Sequence, residues 1–307
     1  MTQGEDIPRT SLTPSAPSPY EETAIHAIHA WRNPSVGWLR WSFGVLTAPI
    51  DLVGRLVLKI PGLNWIIANV LGGLLGMLND GAAWTVRQKA ILRGLDPPAE
   101  RLTDVHRRDL EEIDAAVGFL AAKYKLLAAG DGAIAGATSN LGPVVSVPAI
   151  ALDITTLLAL NLRAIAEYAT YYGFDIRLQE ERLFALELLT MTNSTTEQGK
   201  MLAMAQLVHI AKEVAQQKTW KELERHAFVQ IMQRLAKSLA IRLTKAKLAQ
   251  LLPVAGAVVG GGYNAYYTGS VCRHAHMWYR ERFLARKYGA DVIQAVVVPA
   301  GSMKARP

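Results

Sequence analysis

Apolar residues recur every three or four positions along most of this chain, and they almost nowhere alternate with polar ones. That period belongs to helices packed on one face, and strand signals are nearly absent. The spacing predicts helices over 21–32, 36–59, 62–93, 104–128, 131–142, 149–172, 177–192, 196–216, 219–248 and 253–287. Leu95 to Pro98 (LDPP) breaks the pattern, because prolines lack amide donors and disfavour helix before them. Tyr172-Gly173 and Tyr288-Gly289 read as helix stops, where glycine can adopt a left-handed cap. A short apolar run from Val292 to Val298 closes the pattern. The expected class is all-α, a multi-helix bundle with glycine-rich, closely packed central helices. Its expected organisation is one helical domain over 21–298, between a disordered Pro/Ser/Thr-rich tail over 1–20 and a flexible tail over 299–307.

Three stretches carry no charge at all: Ile60–Asn79, Gly132–Leu152 and Leu248–Cys272. Each holds a Gly-x-x-x-Gly pair, namely Gly72/Gly76, Gly132/Gly136 and Gly256/Gly260. Residues four apart share a helix face, so each pair offers a groove for close packing of a second backbone. The stretches approach the length of a membrane span, but Pro, Asn and Gly interrupt all three. Close-packed core helices are the first expectation, and an integral protein with two or three spans is an alternative. The second and third stretches share a loose parallel: Pro143 then Asp153, Pro253 then Asn264, each leading into a long helix that ends in Tyr-Gly.

Composition narrows the compartment. Half of the 307 residues are hydrophobic, 19% are charged, and the mean hydropathy is +0.14. That is greasy for a soluble protein and too polar for a bundle of conventional spans. A lone cysteine, Cys272, excludes an intramolecular disulfide framework and fits a reducing compartment. The N-terminus carries acids where a secretory signal needs bases, and no apolar core follows. A cytoplasmic location, peripheral to the inner face of the membrane, is therefore expected.

Candidate chemistry is thin. On the helix from Ala149 to Tyr172, Asp153, Thr156, Leu160, Glu167 and Tyr171 fall on one stripe. Paired carboxylates can serve acid–base catalysis, but Asp153 and Glu167 stand 14 residues apart, about 21 Å along a helix. Separate salt bridges, one to Arg163 or to the later basic block, are the expected role. Asp131, in Gly130-Asp131-Gly132, reads as a cap for the next helix. The histidines and Cys272 show no metal-ligand spacing, and no nucleophile elbow or phosphate loop occurs. No metal and no cofactor are expected. The polar set Asp153, Asn161, Arg163, Glu167 and Asn264 is the candidate cluster, with Asp153, Glu167 and Asn264 as the only candidate catalytic groups.

Charge points elsewhere. The net charge of +7 is regional, since no acid occurs between Glu224 and Glu281. In that interval Arg234, Lys237, Arg242 and Lys245 cluster on one side of a helix, opposite Leu235, Leu239, Leu243 and Ala246. A basic amphipathic helix suits an anionic membrane surface. Nucleic acid is not expected, because no reading motif accompanies the charge and no aromatics interleave it. Trp31, Trp38 and Trp41 alternate with Arg32 and Arg40 ahead of the first uncharged stretch. Tryptophan and arginine there suit a bilayer interface, or else pack on the domain with arginine stems over the rings.

The segments Gly132–Asp175 and Leu251–Gly289 resemble the EcsC family. The resemblance is carried by Asp153-Ile154, Asn161-Leu162-Arg163, Tyr172-Gly173-Phe174-Asp175, Pro253, Gly256, Asn264 and Arg280. More loosely, Trp31–Pro61 is similar to the start of the family's domain, giving a match over about 21–290. It implies an all-helical bacterial domain named for a link to an ABC-transporter operon, with no accepted catalytic set to carry over. The leading expectation is a non-enzymatic, membrane-associated accessory protein. Anionic lipid or a membrane protein such as a transporter is its expected partner, and lipid binding between helices is a compatible extension. The alternative is a soluble hydrolase-like enzyme built on the Asp153–Glu167 helix.

Overall fold

The computed structural model describes residues 16–32, 65, 68–69, 72, 84, 86–138, 143–193 and 256–289. Among these residues every regular element is a helix: α1 (Pro19–Arg32), α2 (Gln88–Arg93), α3 (Leu102–Val105), α4 (Leu110–Val117), α5 (Leu120–Thr138), α6 (Pro143–Tyr171), α7 (Gln179–Asn193) and α8 (Gly256–Tyr288). The helices expected over 36–59, 196–216 and 219–248 lie outside the described residues. So do Trp38, Arg40, Trp41, Gly76, Arg234, Lys237, Arg242 and Lys245.

The architecture is organised around α8, whose 33 residues make a rod about 50 Å long. Its buried side chains include Tyr267, Val271, Ala275, Trp278, Tyr279 and Phe283, a helical repeat that meets several partners in turn. α5 shares the most extensive interface with it, followed by α6 and α7. The pairings fix the directions. Lys125 lies against Gly269, and Asp114, just before α5, pairs with Arg280, so α5 runs antiparallel to α8. Tyr168 and then Tyr172 of α6 contact His276, and Tyr172 also meets Phe283, so α6 runs parallel to it. Glu181 pairs with Arg282 and Phe184 with Trp278, so α7 is antiparallel.

α5 and α8 come close at Gly269, where an added Cβ would sit 2.7 Å from the Lys125 Cε, the mobile end of a side chain that can move aside. This residue is outside the pairs singled out by spacing, and Gly256 and Gly260 lie about half a turn around α8 from it. Gly132 and Gly136 continue the face of α5 that carries Lys125 and Ala128. At Gly72 an added Cβ would meet nothing within 4 Å.

Both expected helix stops form. Gly173 has φ +82, its amide donates to the Thr170 carbonyl at 3.1 Å, and the Phe174 amide donates to the Ala169 carbonyl at 2.8 Å. This is the double bond pattern of a Schellman cap, which satisfies the orphan carbonyls of the last turn. A Cβ there would also lie 2.8 Å from the Leu102 carbonyl oxygen and 2.9 Å from the His106 ring. Gly289, φ +88, closes α8, and its amide donates to the Ala285 carbonyl at 2.9 Å.

Several boundaries differ from the pattern. α1 begins at Pro19, inside the expected tail, because Tyr20 and Glu21 have partners in the core. The continuous helix expected over 104–128 is three pieces, with Asp109 extended ahead of α4 and Gly118 ending it. Leu110, Ile113, Val117 and Leu120 are buried on one face across the break, at the spacing a continuous helix would give them. Conversely, α5 runs straight through Gly130-Asp131-Gly132, so Asp131 is a mid-helix residue and caps nothing. Each glycine costs a helix about 1 kcal/mol, and the long packing against α8 offsets that preference. α6 starts at Pro143, a favourable first-turn proline, rather than near Ala149.

Candidate functional site

The polar side chains that face α8 fall into groups at successive levels along it. Nearest its C-terminus, Glu21 is 1% exposed as a side chain and binds Lys287 Nζ at 2.9 Å. It also accepts from the Tyr288 hydroxyl at 2.6 Å and from the Ser18 amide at 2.9 Å. Burial acts to raise its carboxyl, but the Tyr288, Ser18 and Lys287 donors outweigh that and hold it below its usual value. This group straps α1 to the end of α8.

The next level joins four helices. Asp114 of α4 takes the Arg280 guanidinium at 2.6 Å, the Tyr20 hydroxyl at 2.9 Å and the Tyr172 hydroxyl at 2.5 Å. The Tyr172 oxygen lies 3.0 Å from His276 Nδ1. Because the tyrosine proton is committed to Asp114, His276 Nδ1 is the donor to Tyr172, which assigns the tautomer. Burial lowers the His276 pKa, with Asp114 opposing and Arg280 adding to the shift, and burial drives that of Tyr172 well above its usual value. The chain His276–Tyr172–Asp114–Arg280 therefore rests as neutral imidazole, neutral phenol and an ion pair.

Beside it, Glu181 and Arg282 form a deeply buried pair, 3% and 9% exposed, with oxygen–nitrogen distances of 2.5 and 2.7 Å. The guanidinium sits between the rings of Phe174 and Phe184, at 4.1 and 4.2 Å from their centroids. Burial alone would pull the Arg282 pKa down, but the charge and hydrogen bonds of Glu181 outweigh it and raise the value.

Glu167 belongs to the third level. Its two oxygens bind Lys123 Nζ of α5 at 2.9 and 2.7 Å. The expected partner Arg163 is exposed on the outside of α6. Tyr124 and Cys272 lie nearby, and burial pushes the Cys272 thiol up to about 12.

Asn161 and Asn264 occupy the fourth level. Both are fully buried, as is Thr268. With Tyr168 against His276 and the two helices parallel, Asn161 sits at the height of Asn264 and Thr268. Asn161 Nδ2 donates to the Leu157 carbonyl at 2.7 Å, while its Oδ1 and the polar ends of Asn264 and Thr268 have no hydrogen-bond partner. Amides and a hydroxyl offer no proton transfer near neutral pH.

The candidate cluster thus divides. One unbroken helix carries Asp153 and Glu167, holding them about 21 Å apart along its axis, and Glu167 is committed to Lys123. Asn161 and Asn264 share a level, and Arg163 is exposed. Trp31 packs on the domain. It packs edge-on to His274 at 5.6 Å and Trp278 at 6.0 Å, and Arg32 lies over the Trp278 ring at 4.7 Å. The arginine-over-ring arrangement is the one formed there. The group that the pattern did not single out is Asp114 with Tyr172 and His276. The only sequence signal was the acid-and-base balance of facing helices, which does not choose a partner.

Among the described residues no group of three or more His, Cys, Asp or Glu is placed to hold a metal, and no helix is long and apolar enough to cross a membrane. The sequence profile described as the EcsC protein family matches residues 62–284. An uncharacterized protein, YdbA, of Bacillus subtilis (strain 168) is 25% identical over 221 residues, which span 70% of this chain and 76% of that protein. No solved structure matches the chain.

Proposed function

The chain belongs to the EcsC protein family, and from that premise we propose that it is a non-enzymatic, membrane-associated helical accessory protein at the cytoplasmic face. The observation that carries the reading is the state of four carboxylates packed against the core. Glu21, Asp114, Glu167 and Glu181 are each bound to a cation on another helix. A general acid or base needs a free lone pair or proton within reach of a substrate, and these groups are committed to fixing helix positions instead.

Membrane contact is supported by charge placement. The acid-free interval from Arg225 to Arg280 encloses the third uncharged stretch, so cations and apolar residues adjoin in the chain. Cations near an anionic leaflet contribute about 1 kcal/mol each, and several together give reversible, salt-sensitive attachment. Anionic lipid or a membrane protein is the proposed partner.

Fractionation tests this. After lysis the protein should sediment with membranes and come off in alkaline carbonate. Charge reversal at Arg234, Lys237 and Lys245 together should release it. A wild-type protein that stays fully soluble at low salt sinks the proposal.

A further inference from the structure

Surface helices normally turn polar side chains to water, and α5 turns leucines outward as well as lysines. Its inward arc holds Tyr124, Ala128 and the approach to Gly269, while its outward arc is led by Leu126, 74% exposed. Phe119, one residue ahead of the helix, is 53% exposed and lies seven positions before Leu126, on the same side. Leu127 adds a further side chain at 49% exposure. Ala122 and Gly130, both exposed, lie within about 40° of Leu126, and Lys123 stands between that patch and Leu127. A helix with an apolar strip on its outer as well as its inner side calls for a second apolar environment.

The edges of this face are cationic. Lys125 stands at the α8 edge, with its stem lying along Gly269. Lys123 stands at the α6 edge, held by Glu167. Arg163 is exposed on α6, and the antiparallel pairing of Lys123 with Glu167 brings it to the height of Leu127. The α5 sequence has one acid, Asp131, and it lies on the inward side. An apolar centre of leucine and phenylalanine flanked by lysine and arginine on both edges complements one environment well. That environment is the boundary of an anionic bilayer, where the apolar groups enter the acyl region and the long cationic stems reach back to lipid phosphates.

We propose that the outward face of α5, centred on Leu126 and Phe119 and flanked by Lys125 and Arg163, is the surface that this protein inserts into an anionic membrane interface. The proposal rests on the membrane reading above and names a different contact from the 234–245 segment.

The test uses the full chain with a nitrobenzoxadiazole dye on Leu126→Cys, and the same dye on Gln179→Cys as a control. Gln179 is exposed at the start of α7, which packs on another face of α8. The buried Cys272 should stay unlabelled, as the parent protein verifies. With phosphatidylcholine vesicles containing phosphatidylglycerol, the dye at 126 should shift to the blue and be quenched by doxyl-labelled lipid. The dye at 179 should remain in water. Leu126→Asp should weaken vesicle partitioning about tenfold or more, since it replaces an inserted leucine with a charge. Its circular dichroism and melting should match the parent, because the site is solvent-facing.

Protein that sediments with vesicles while the dye at 126 stays in water overturns this inference and leaves the membrane reading intact. Equal binding to vesicles of phosphatidylcholine alone overturns the role of the flanking cations. Burial of the dye on raising protein concentration without lipid assigns the face to a second copy and overturns it too. Failure of the unmodified protein to bind any vesicle sinks both.

Discussion

Replacing Glu181 with glutamine leaves Arg282 charged in a place that water scarcely reaches. The pair is 3% and 9% exposed, and the guanidinium is enclosed by Phe174 and Phe184. Those rings attract the cation but give its N–H groups no lone pair comparable to a carboxylate. Removing one partner of a buried ion pair costs roughly 3–5 kcal/mol, because the remaining charge keeps its full desolvation penalty. For a domain of this scale each kcal/mol moves the melting temperature by roughly 2–4 °C, so a fall of about 6–20 °C is expected. Urea unfolding followed by circular dichroism at equal protein concentration measures the free energy directly. The double replacement Glu181→Leu with Arg282→Met supplies the control, since apolar groups of similar volume often match or exceed a buried pair. It should regain most of the stability lost by Glu181→Gln. A loss below about 1 kcal/mol for the single change would refute the reasoning, as it would mean the pair behaves like an exposed one.

Gly173→Ala should cost about 2–4 kcal/mol in the same assay, from the left-handed backbone and from the 2.8 Å approach of the Leu102 carbonyl. A cost under 0.5 kcal/mol, roughly the scatter of surface changes, would contradict the cap geometry. His106 is driven down to about 4, first by burial and then by Arg286 and Arg282. Its folded value lies below the usual 6.5, so the folded state resists protonation and stability drains as pH falls from 6.5 toward 4. Proton NMR should place its midpoint near 4, and His106→Gln should make stability less sensitive to pH in that window; a midpoint above 6 refutes this. Cys272, with its thiol pushed up to about 12 and no exposure, should react with a thiol reagent at pH 8 only after denaturant is added. Stoichiometric reaction of the native protein within minutes would place the thiol at the surface.

Local chemistry made part of this legible in the sequence. The period of three to four assigned the helical class, and Tyr172-Gly173 and Tyr288-Gly289 announced caps that form as read, because a left-handed glycine is a local requirement. Gly130-Asp131-Gly132 misled for the opposite reason. Its local preference is to end a helix, and only the contact with α8, more than 100 residues later, reverses it. The Asp114–Arg280 pair was invisible for a related cause. Periodicity says which face of α4 turns inward, but any of several inward bases could have met that acid. Glu167 shows the limit clearly, since its partner proved to be Lys123 of α5 rather than Arg163 four residues before it on its own helix.

The placement of α8 also has a consequence for biosynthesis. α5, α6 and α7 all rest on a helix that begins at Gly256. At about 5–20 residues per second, the roughly 120 residues between the end of α5 and the start of α8 take about 6–24 s to translate. Through that interval Tyr124, Tyr172 and Phe184 are without Cys272, Phe283 and Tyr279, and the acids Asp114 and Glu181 are without their arginines. Until α8 emerges from the ribosome, the inner faces of these earlier helices lack the partner that buries them.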